Sequence, residues 1–467
     1  MRLQIVVKYF LLTGGLIPMK KIDVNEQSIS SEMYTDLGRN YFSKPSNVIL
    51  RHALSKTDIP TIVSDSKNSV ETLNNFSNEI KTLPVANQKG SGRCWIFAGL
   101  NILREIIAKE CNLENFELSQ NYVAFFDKLE KSNYFLTSII DLIDSKPDDR
   151  TFMYLLDNGV GDGGQWDMFR NLVVKYGVVP KSIFDETYQS SYTRYSDQLL
   201  NSYLRQFAYE AQKLAHQGKD KEVQTLKDET LNKIYSLLVN CFGVPPTEFD
   251  FEYTDKDKKY HVETGYTPKS FFEKYIGNKI DEYVSIINSP TTDKPFMKSY
   301  TIDYLGNVVE GKIVTHLNLP MERIKELIVE QIKGGDIVWF GSDVGAYGDR
   351  TNGIWDDQAY DYMSAFSFDI KFDKAAMLDY RASAMNHAMC LTGVNLKGNV
   401  PTKWKVENSW GDSIGNKGYF IMSSSWFDTY VYQAVILKKY LTEDELTAYN
   451  SKPIVLKPWD PMGTLAD

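Results

Sequence analysis

The sequence predicts an α+β protein with two lobes, one mainly helical and one built on a β-sheet. Three observations favour this class. An apolar run over 95–108 follows a glycine-rich loop, and its large side chains recur at three- and four-residue spacing. A second helical pattern, a hairpin, covers 196–240. From 336 to 438 short apolar strands alternate with turns. A cleft between the two lobes is where we expect a ligand to lie.

The first lobe offers a candidate nucleophile. The glycine-rich loop ends in Cys94 at the start of the helix, where unpaired backbone N–H groups and the positive end of the helix dipole favour a thiolate. Six positions earlier, Gln88 has an amide that the loop can direct, together with the Cys94 N–H, toward one point. That is the geometry of an oxyanion hole. In isolation, a lone cysteine is more often an inert buried side chain.

The second lobe offers a base and a residue to orient it. His387 stands at the head of an apolar, strand-like stretch, and Asn408 follows 21 residues later, enough for one hairpin return. An asparagine oxygen accepts one imidazole N–H and thereby holds the other ring nitrogen toward the thiolate. Trp410 is predicted to cover this hydrogen bond and to form the floor of the leaving-group side, although core packing is the commoner role of a tryptophan.

A pair of adjacent glycines, Gly163 and Gly164, precedes the helix that ends near Gly177. Two glycines expose bare backbone, along which an extended peptide can pair as an added strand. A plain turn before a helix is the alternative interpretation.

The chain order Gln88, Cys94, His387, Asn408 resembles the papain-like cysteine peptidases. The loop Gly92-Arg93-Cys94-Trp95 is similar to that of one branch, bleomycin hydrolase and bacterial aminopeptidase C. The resemblance implies a papain-like two-lobed fold, with a helical lobe and an antiparallel β-barrel-like lobe. It also implies that the glycine pair binds the substrate backbone. A helical insertion accounts for the 293 residues that separate the cysteine from the histidine.

We divide the chain accordingly into five parts. They are an N-terminal arm or hook (1–66), a helical catalytic lobe with the cysteine (67–195), an inserted, mainly helical region (196–319), a β-rich lobe with the histidine and asparagine (320–440), and a C-terminal tail (441–467). The resemblance implies that the arm makes oligomer contacts. A loosely ordered leader explains its mixed polar composition equally well.

The last part of the tail, residues 452–467, holds three prolines in nine residues and cannot be helical. By itself it is typical of a frayed end. The resemblance implies instead that Ala466 and Asp467 lie in the cleft, where a terminal carboxylate attracts the substrate α-ammonium group. Whether Asp467 is trimmed stays open. The expected enzyme is a cysteine aminopeptidase of broad specificity that acts on short peptides with a free N-terminus.

Two other functions stay open at this stage. One is a papain-like endopeptidase with an idle tail, and the other is a non-enzymatic, oligomeric binding protein on a peptidase fold. The resemblance also implies a homohexameric ring with its sites facing an inner channel, which would restrict substrates to short or unfolded peptides.

Composition limits the partners and the compartment. With 43% hydrophobic and 24% charged residues the chain should fold as a globular protein, and its formal net charge of −9 makes nucleic acid an unlikely main partner. No charge-free apolar run reaches the length of a membrane span. A secretion signal over 1–18 is disfavoured because Lys8 interrupts its apolar region, and Met19 is an alternative start.

The remaining cysteines and histidines suggest no cofactor or metal site. The resemblance places a disulfide at positions that are Ser91 and Gly161 here, so both halves are missing, which favours a reducing, cytoplasmic location. The other cysteines are predicted to be small buried hydrophobes, namely Cys111, Cys241 and Cys390. The histidines without motif neighbours are predicted to be surface or packing residues, namely His52, His216, His261 and His316.

Overall fold

The structure, a computed structural model, describes residues 28–65 and 74–466. The chain divides into two compact units, Met1–Val63 and Ser64–Asp467. The predicted boundary between arm and helical lobe, after residue 66, lies outside the described residues, as does Asp467.

The N-terminal unit consists of helices in its described part. These are α1 (Ser31–Phe42), α2 (Pro45–Leu54) and α3 (Ile59–Val63). Helix α1 begins where Ser30 accepts the N–H of Met33 at 3.0 Å, an N-cap that satisfies one free helix donor. Neither α1 nor α2 buries a single residue, so large apolar side chains such as Leu37 and Ile49 stay exposed.

The second unit begins with a short strand and a group of helices. They are β1 (Asn78–Glu79), α4 (Cys94–Glu110), α5 (Gln120–Asp141), α6 (Arg150–Asn158), α7 (Trp166–Tyr176), α8 (Tyr188–Ser191), α9 (Arg194–Ala215) and α10 (Asp220–Phe242). Helix α4 is buried almost throughout its first three turns, as expected for a helix that is apolar on several faces. The hairpin of α9 and α10 packs on α5.

A mixed set of strands and short helices follows. The strands are β2 (Phe249–Thr254), β3 (Tyr260–Tyr266), β4 (Tyr283–Ile287), β5 (Lys298–Ile302), β6 (His316–Asn318), β7 (Val338–Ser342), β8 (Gly348–Asp349), β9 (Ile354–Trp355), β10 (His387–Lys397), β11 (Val400–Glu407), β12 (Tyr419–Ser423), β13 (Val431–Leu437) and β14 (Ile454–Leu456). The helices are α11 (Pro268–Tyr275), α12 (Met321–Lys333), α13 (Tyr362–Phe366), α14 (Lys374–Asp379), α15 (Ser424–Tyr430) and α16 (Glu443–Asn450).

Most of these strands join one sheet. Within the described residues its order is β14-β5-β6-β4-β13-β7-β10-β11-β12-β9-β8, with β1 added beside β10. The central pairs are antiparallel, whereas β4 with β6, β5 with β14 and β9 with β12 are parallel. Strands β2 and β3 form a separate hairpin. The fold is therefore α+β, as predicted, and its sheet is mixed.

The sheet separates two apolar cores. Along β10, Ala388 and Cys390 belong to the core that contains α4, whereas Met389 and Leu391 belong to the core that contains α12. This alternation follows from the two-residue period of a strand. Helix α4 lies against β10 and β7, so the front of the chain and its back half meet at the start of α4 and the start of β10.

The inserted region differs in part from the prediction. The region 196–319 contains the expected helical hairpin but also five strands. Strand β5 ends at Ile302, and β6 starts at His316. The chain turns at Tyr304, which has a positive φ of 55°. Asn307 then donates to Asp127 and to the carbonyl of Met168, so this stretch packs on the helices.

None of the helices within 28–65 and 74–466 is long and apolar enough to cross a bilayer.

Candidate active site

Cys94 is the first residue of α4 and is fully buried. Its sulfur accepts the backbone N–H of Ala388 at 3.4 Å, and Ala388 follows His387 directly in β10. The thiol from the helical lobe therefore lies beside the strand that begins with the predicted base.

A single hydrogen bond orients His387. Its Nε2 lies 2.9 Å from Oδ1 of Asn408, the residue just after β11. The same oxygen accepts the N–H of Ser409 at 2.8 Å, which fixes the amide with its oxygen toward the ring. Because an amide oxygen only accepts, Nε2 carries the imidazole proton. This tautomer leaves Nδ1 as the nitrogen that can take a proton from a thiol.

The surroundings of His387 favour the neutral ring. Burial lowers the pKa of His387 to about 4, a shift that the hydrogen bond to Asn408 opposes and the nearby charge of Arg350 reinforces. The indole of Trp410 stacks on the imidazole, with ring centroids 4.8 Å apart and planes inclined by 29°. Trp410 therefore covers one face of the imidazole. A neutral imidazole is the form that accepts a proton.

Gln88 lies on the segment that pairs with the asparagine loop. Its N–H donates to the carbonyl of Ser409 at 2.8 Å, and its Oε1 accepts the Ser409 hydroxyl at 2.6 Å. One hydrogen of its Nε2 is directed to the carbonyl of Ser91 at 2.6 Å. A side-chain amide has two such hydrogens, so one remains for an oxyanion. Gln88 also lines a cavity together with His387 and Trp410.

The glycine pair lies against the C-terminal tail. Gly164 donates its N–H to the carbonyl of Ala466 at 3.2 Å and accepts the Ala466 N–H at 3.4 Å, an antiparallel bridge. A Cβ on Gly164 would lie 2.4 Å from the indole of Trp95, next to the nucleophile, and one on Gly163 would lie 2.8 Å from the Ala466 carbonyl. Only glycine permits this close approach. Asp467 lies outside the described residues.

The sequence analysis missed a buried lysine behind the glycine pair. Lys131 donates to the carbonyl of Gly163 at 2.6 Å and to that of Gly161 at 3.1 Å, and it pairs with Asp127 at 2.6 Å. Its ammonium also lies 5.1 Å from the centroid of the Trp95 ring. A charged i, i+4 pair on an apolar helix face was the available signal.

A second buried cluster, also missed, joins the nucleophile loop to the glycine pair. The carboxylate of Asp162 accepts the N–H of Gly92 at 2.8 Å, and its carbonyl accepts the indole N–H of Trp95 at 2.6 Å. Lys128 pairs with Asp162 and with Asp197, both at 2.6 Å.

The two carboxyl groups of this cluster titrate differently. Burial disfavours ionised Asp162, but the charge of Lys128 and the hydrogen bonds prevail and hold the pKa of Asp162 well below its usual value. Burial, with repulsion from Asp162, raises the pKa of Asp197 to about 6. We infer that Asp162 is the permanent counter-ion of Lys128.

Two cavities meet at the site. The first, of about 560 Å³, includes Gln88, His387, Trp410 and Arg350 in its lining. The second, of about 500 Å³, is lined by the glycine loop, the tail residues 463–465 and a set of largely apolar side chains from α5, α6 and the segment before β10. Asn386, the residue before His387, lines both cavities.

The other polar candidates lie elsewhere. Cys111 and Cys390 are buried and Cys241 is half-buried, and none of the four cysteines, all within the described residues, forms a disulfide. His316 is buried with its Nδ1 2.8 Å from the Ser285 hydroxyl, and His261 pairs with Asp255. Within the described residues no group of three or more His, Cys, Asp or Glu side chains could hold a metal ion.

Comparison with known proteins places this geometry in a family. The sequence profile of the peptidase C1-like family matches residues 28–463. The chain belongs to the peptidase C1-like family. Its curated relatives include aminopeptidase C of Streptococcus thermophilus, 47% identical over 94% of this chain and 99% of the relative. Mouse bleomycin hydrolase is 41% identical over 82% of this chain and 86% of its own length.

A solved structure shows the same fold. PepW from Lactobacillus rhamnosis HN001 superposes with a TM-score of 0.92 at 45% identity, covering 94% of this chain and all of PepW. The predicted branch of the family, the two-lobed α+β fold and the enzyme class, a cysteine-type aminopeptidase, are confirmed.

Proposed function

We propose that this family member removes single N-terminal residues from short peptides, with Cys94 as nucleophile and the C-terminal tail as the element that limits the cleft. The observation that carries the proposal is the bridge between Ala466 and Gly164. It occupies the backbone edge along which an extended substrate would otherwise pair. A chain with several residues before the cut bond would have to displace the tail.

The geometry supports a thiolate mechanism. Nδ1 of His387 takes the thiol proton, and the sulfur attacks the carbonyl carbon of the first peptide bond. The oxyanion that forms is held by the Cys94 N–H and the free hydrogen of Gln88 Nε2. The imidazolium then protonates the departing amine, leaving a thioester. His387 next removes a proton from water, which attacks the thioester and regenerates the thiol.

Broad side-chain tolerance is the second part of the proposal. The cavity of about 500 Å³ beside the glycine pair is lined mostly by apolar and small groups. Its charged lining residue, Lys131, is already engaged by two carbonyls and Asp127. A pocket without a free charge discriminates between substrate side chains mainly by their apolar area. We therefore expect cleavage rates that change gradually from one substrate side chain to the next.

The decisive experiment compares free and N-acetylated aminoacyl fluorogenic amides, with Cys94→Ala as control. We expect the free compounds to be cleaved and the acetylated ones to be left intact. Equal cleavage of both would establish an endopeptidase-like cleft and contradict the proposal. Activity that survives in Cys94→Ala would remove the cysteine from the mechanism.

We also propose that the chain assembles as a homohexamer through its N-terminal unit. Support comes from the exposed apolar side chains of α1 and α2, including Met33, Leu37 and Ile49. Exposed apolar clusters of this kind mark interaction surfaces. Sedimentation of the full chain should give a mass near six protomers, and Leu37→Glu with Ile49→Glu should lower it. A monomer in the unmodified protein would contradict the assembly.

A further inference from the structure

The cavity on the leaving-group side carries positive charge. Its lining includes Lys89 and Arg350 and no aspartate or glutamate among the described residues. The same cavity holds the imidazole of His387 and the indole of Trp410. A group with a negative charge is therefore the ligand that this side of the site would attract.

Arg350 is held in place by an aromatic ring. It lies in the turn between β8 and β9, and its guanidinium carbon lies 3.9 Å from the ring centroid of Trp410. The same indole stacks on His387. Within the described part of the chain Arg350 forms no ion pair, so its N–H donors are available. Stacking on the indole orients the planar guanidinium while leaving its edge open to an acceptor.

The position of the tail decides which part of a substrate enters this cavity. The tail and Gly163 line the other cavity, which shares Asn386 with this one, and the N-terminal residue of a substrate would lie there. The departing residues must then run toward Gln88, Trp410 and Arg350. In a dipeptide the departing residue ends in an α-carboxylate, one residue beyond the cut bond.

We propose that Arg350, assisted by Lys89, forms a subsite for the C-terminal α-carboxylate of short peptides, so that the enzyme prefers dipeptides to peptides with a neutral end. This inference rests on the proposed function. A guanidinium matches a carboxylate with two parallel N–H···O bonds, whereas Lys89 contributes a mobile point charge. Longer peptides would place their α-carboxylate beyond the reach of Arg350 and would therefore not be favoured by this ion pair.

The test measures a ratio within each enzyme. For alanyl-alanine and alanyl-alaninamide, kcat/KM is determined from released alanine in low-salt buffer. We expect the free acid to be favoured by about three- to tenfold, the size of a partly exposed ion pair. Arg350→Gln should bring the ratio to about one, and Arg350→Glu below one. Any general effect of these changes on turnover cancels in the ratio.

Two controls distinguish a local carboxylate subsite at Arg350 from an effect of the overall charge of the protein. Lys219→Gln removes one charge from the α9–α10 turn, outside the cavity lining, and should keep the wild-type ratio. Raising the ionic strength should shrink the ratio of the wild type, because exposed charges are screened. A wild-type ratio near one, or the same ratio in Arg350→Gln, overturns the subsite while leaving the aminopeptidase intact. Failure to cleave either compound overturns the aminopeptidase, and the subsite with it.

Discussion

The carboxylate of Asp162 accepts the backbone N–H of Gly92 at 2.8 Å, across 70 positions of sequence. One side of this contact is the loop that leads into Cys94, and the other is the loop that carries Gly163 and Gly164. One buried ionised group, whose charge Lys128 balances, therefore connects the Cys94 loop to the loop of the glycine pair.

We predict that Asp162→Asn lowers both stability and turnover. Removing one partner of a buried ion pair typically costs about 3–5 kcal/mol of unfolding free energy. Loss of register between the two loops should lower kcat more than it raises KM. Denaturant unfolding and steady-state kinetics measure the two effects.

The matched control for that change is Asp197→Asn. Asp197 pairs with the same lysine, but within the described residues no hydrogen bond or ion pair joins its carboxylate to the Gly92 loop. Its pKa is raised to about 6, so it exchanges protons near neutral pH. Its replacement should cost less stability and leave kcat close to wild type. If the two variants lost the same unfolding free energy and the same kcat, the effect would arise from the charge balance around Lys128 alone, and the hydrogen bond between Asp162 and Gly92 would not contribute.

Asn408→Ala should lower kcat by about 10²-fold, because the imidazole would lose the hydrogen bond that selects its tautomer. Asn395→Ala, on the same β-hairpin but bonded to Thr402, serves as the matched control and should stay within twofold. Kinetics on an aminoacyl amide provide the measurement. A kcat for Asn408→Ala within twofold of wild type would mean that packing by Trp410 alone orients the ring.

The sequence singled out Cys94, His387 and Asn408 because each stands in a strong local pattern. A glycine loop that runs into an apolar helix, an apolar strand and a polar residue one hairpin later are all short-range signals. The structure brings these segments together through the packing of α4 on β10. The local sequence patterns were sufficient to locate these residues in the chain, whereas the distances between their side chains are known only from the tertiary structure.

Residues whose role depends on distant partners were not found. Helix α5 runs from Gln120 to Asp141, so Lys131 lies in mid-helix, and its ammonium group reaches the glycine loop. Arg350 lies in a polar turn whose sequence does not distinguish it from other exposed loops. Its contact with the Trp410 ring forms only in the folded chain. Contacts such as these, between residues 32 and 60 positions apart, leave no periodicity to detect.

Iodoacetamide at neutral pH should modify one thiol per chain, that of Cys94, and the label should be lost in Cys94→Ser. Burial raises the pKa of Cys390, and likewise that of Cys111, which keeps both as unreactive thiols. Peptide mapping by mass spectrometry identifies the site. Preferential labelling of Cys390 or Cys111 would contradict the assignment of Cys94 as the activated thiol.

Stability should fall in acid partly because His316 is buried without charge. Burial lowers its pKa to about 3, and the charge of Lys312 acts in the same direction. In the unfolded chain His316 binds a proton below about pH 6.5, whereas in the folded chain it stays neutral until the pH approaches 3. The contribution of His316 to the free energy of unfolding is therefore present above pH 6.5 and is lost as the pH falls from 6.5 toward 3.

The variant His316→Asn should therefore lessen the loss of unfolding free energy between pH 7 and pH 5 by about 2 kcal/mol. Denaturant unfolding at the two pH values gives the difference. Because each protein is compared with itself, any packing cost of the substitution cancels. An unchanged difference would show that His316 is protonated in the folded state.

Deleting residues 464–467 should convert the enzyme toward an endopeptidase, since the backbone edge of Gly164 would be released from Ala466. We expect the truncated enzyme to cleave an N-acetylated peptide that the full chain leaves intact. Removing Asp467 alone retains the bridge and should keep the aminopeptidase pattern. Gln165→Ala, which removes the 2.6 Å hydrogen bond to the Thr464 carbonyl, should loosen the tail and give an intermediate rate. If all three variants cut only free N-termini, the restriction arises from the cleft walls, and the tail plays no part in substrate selection.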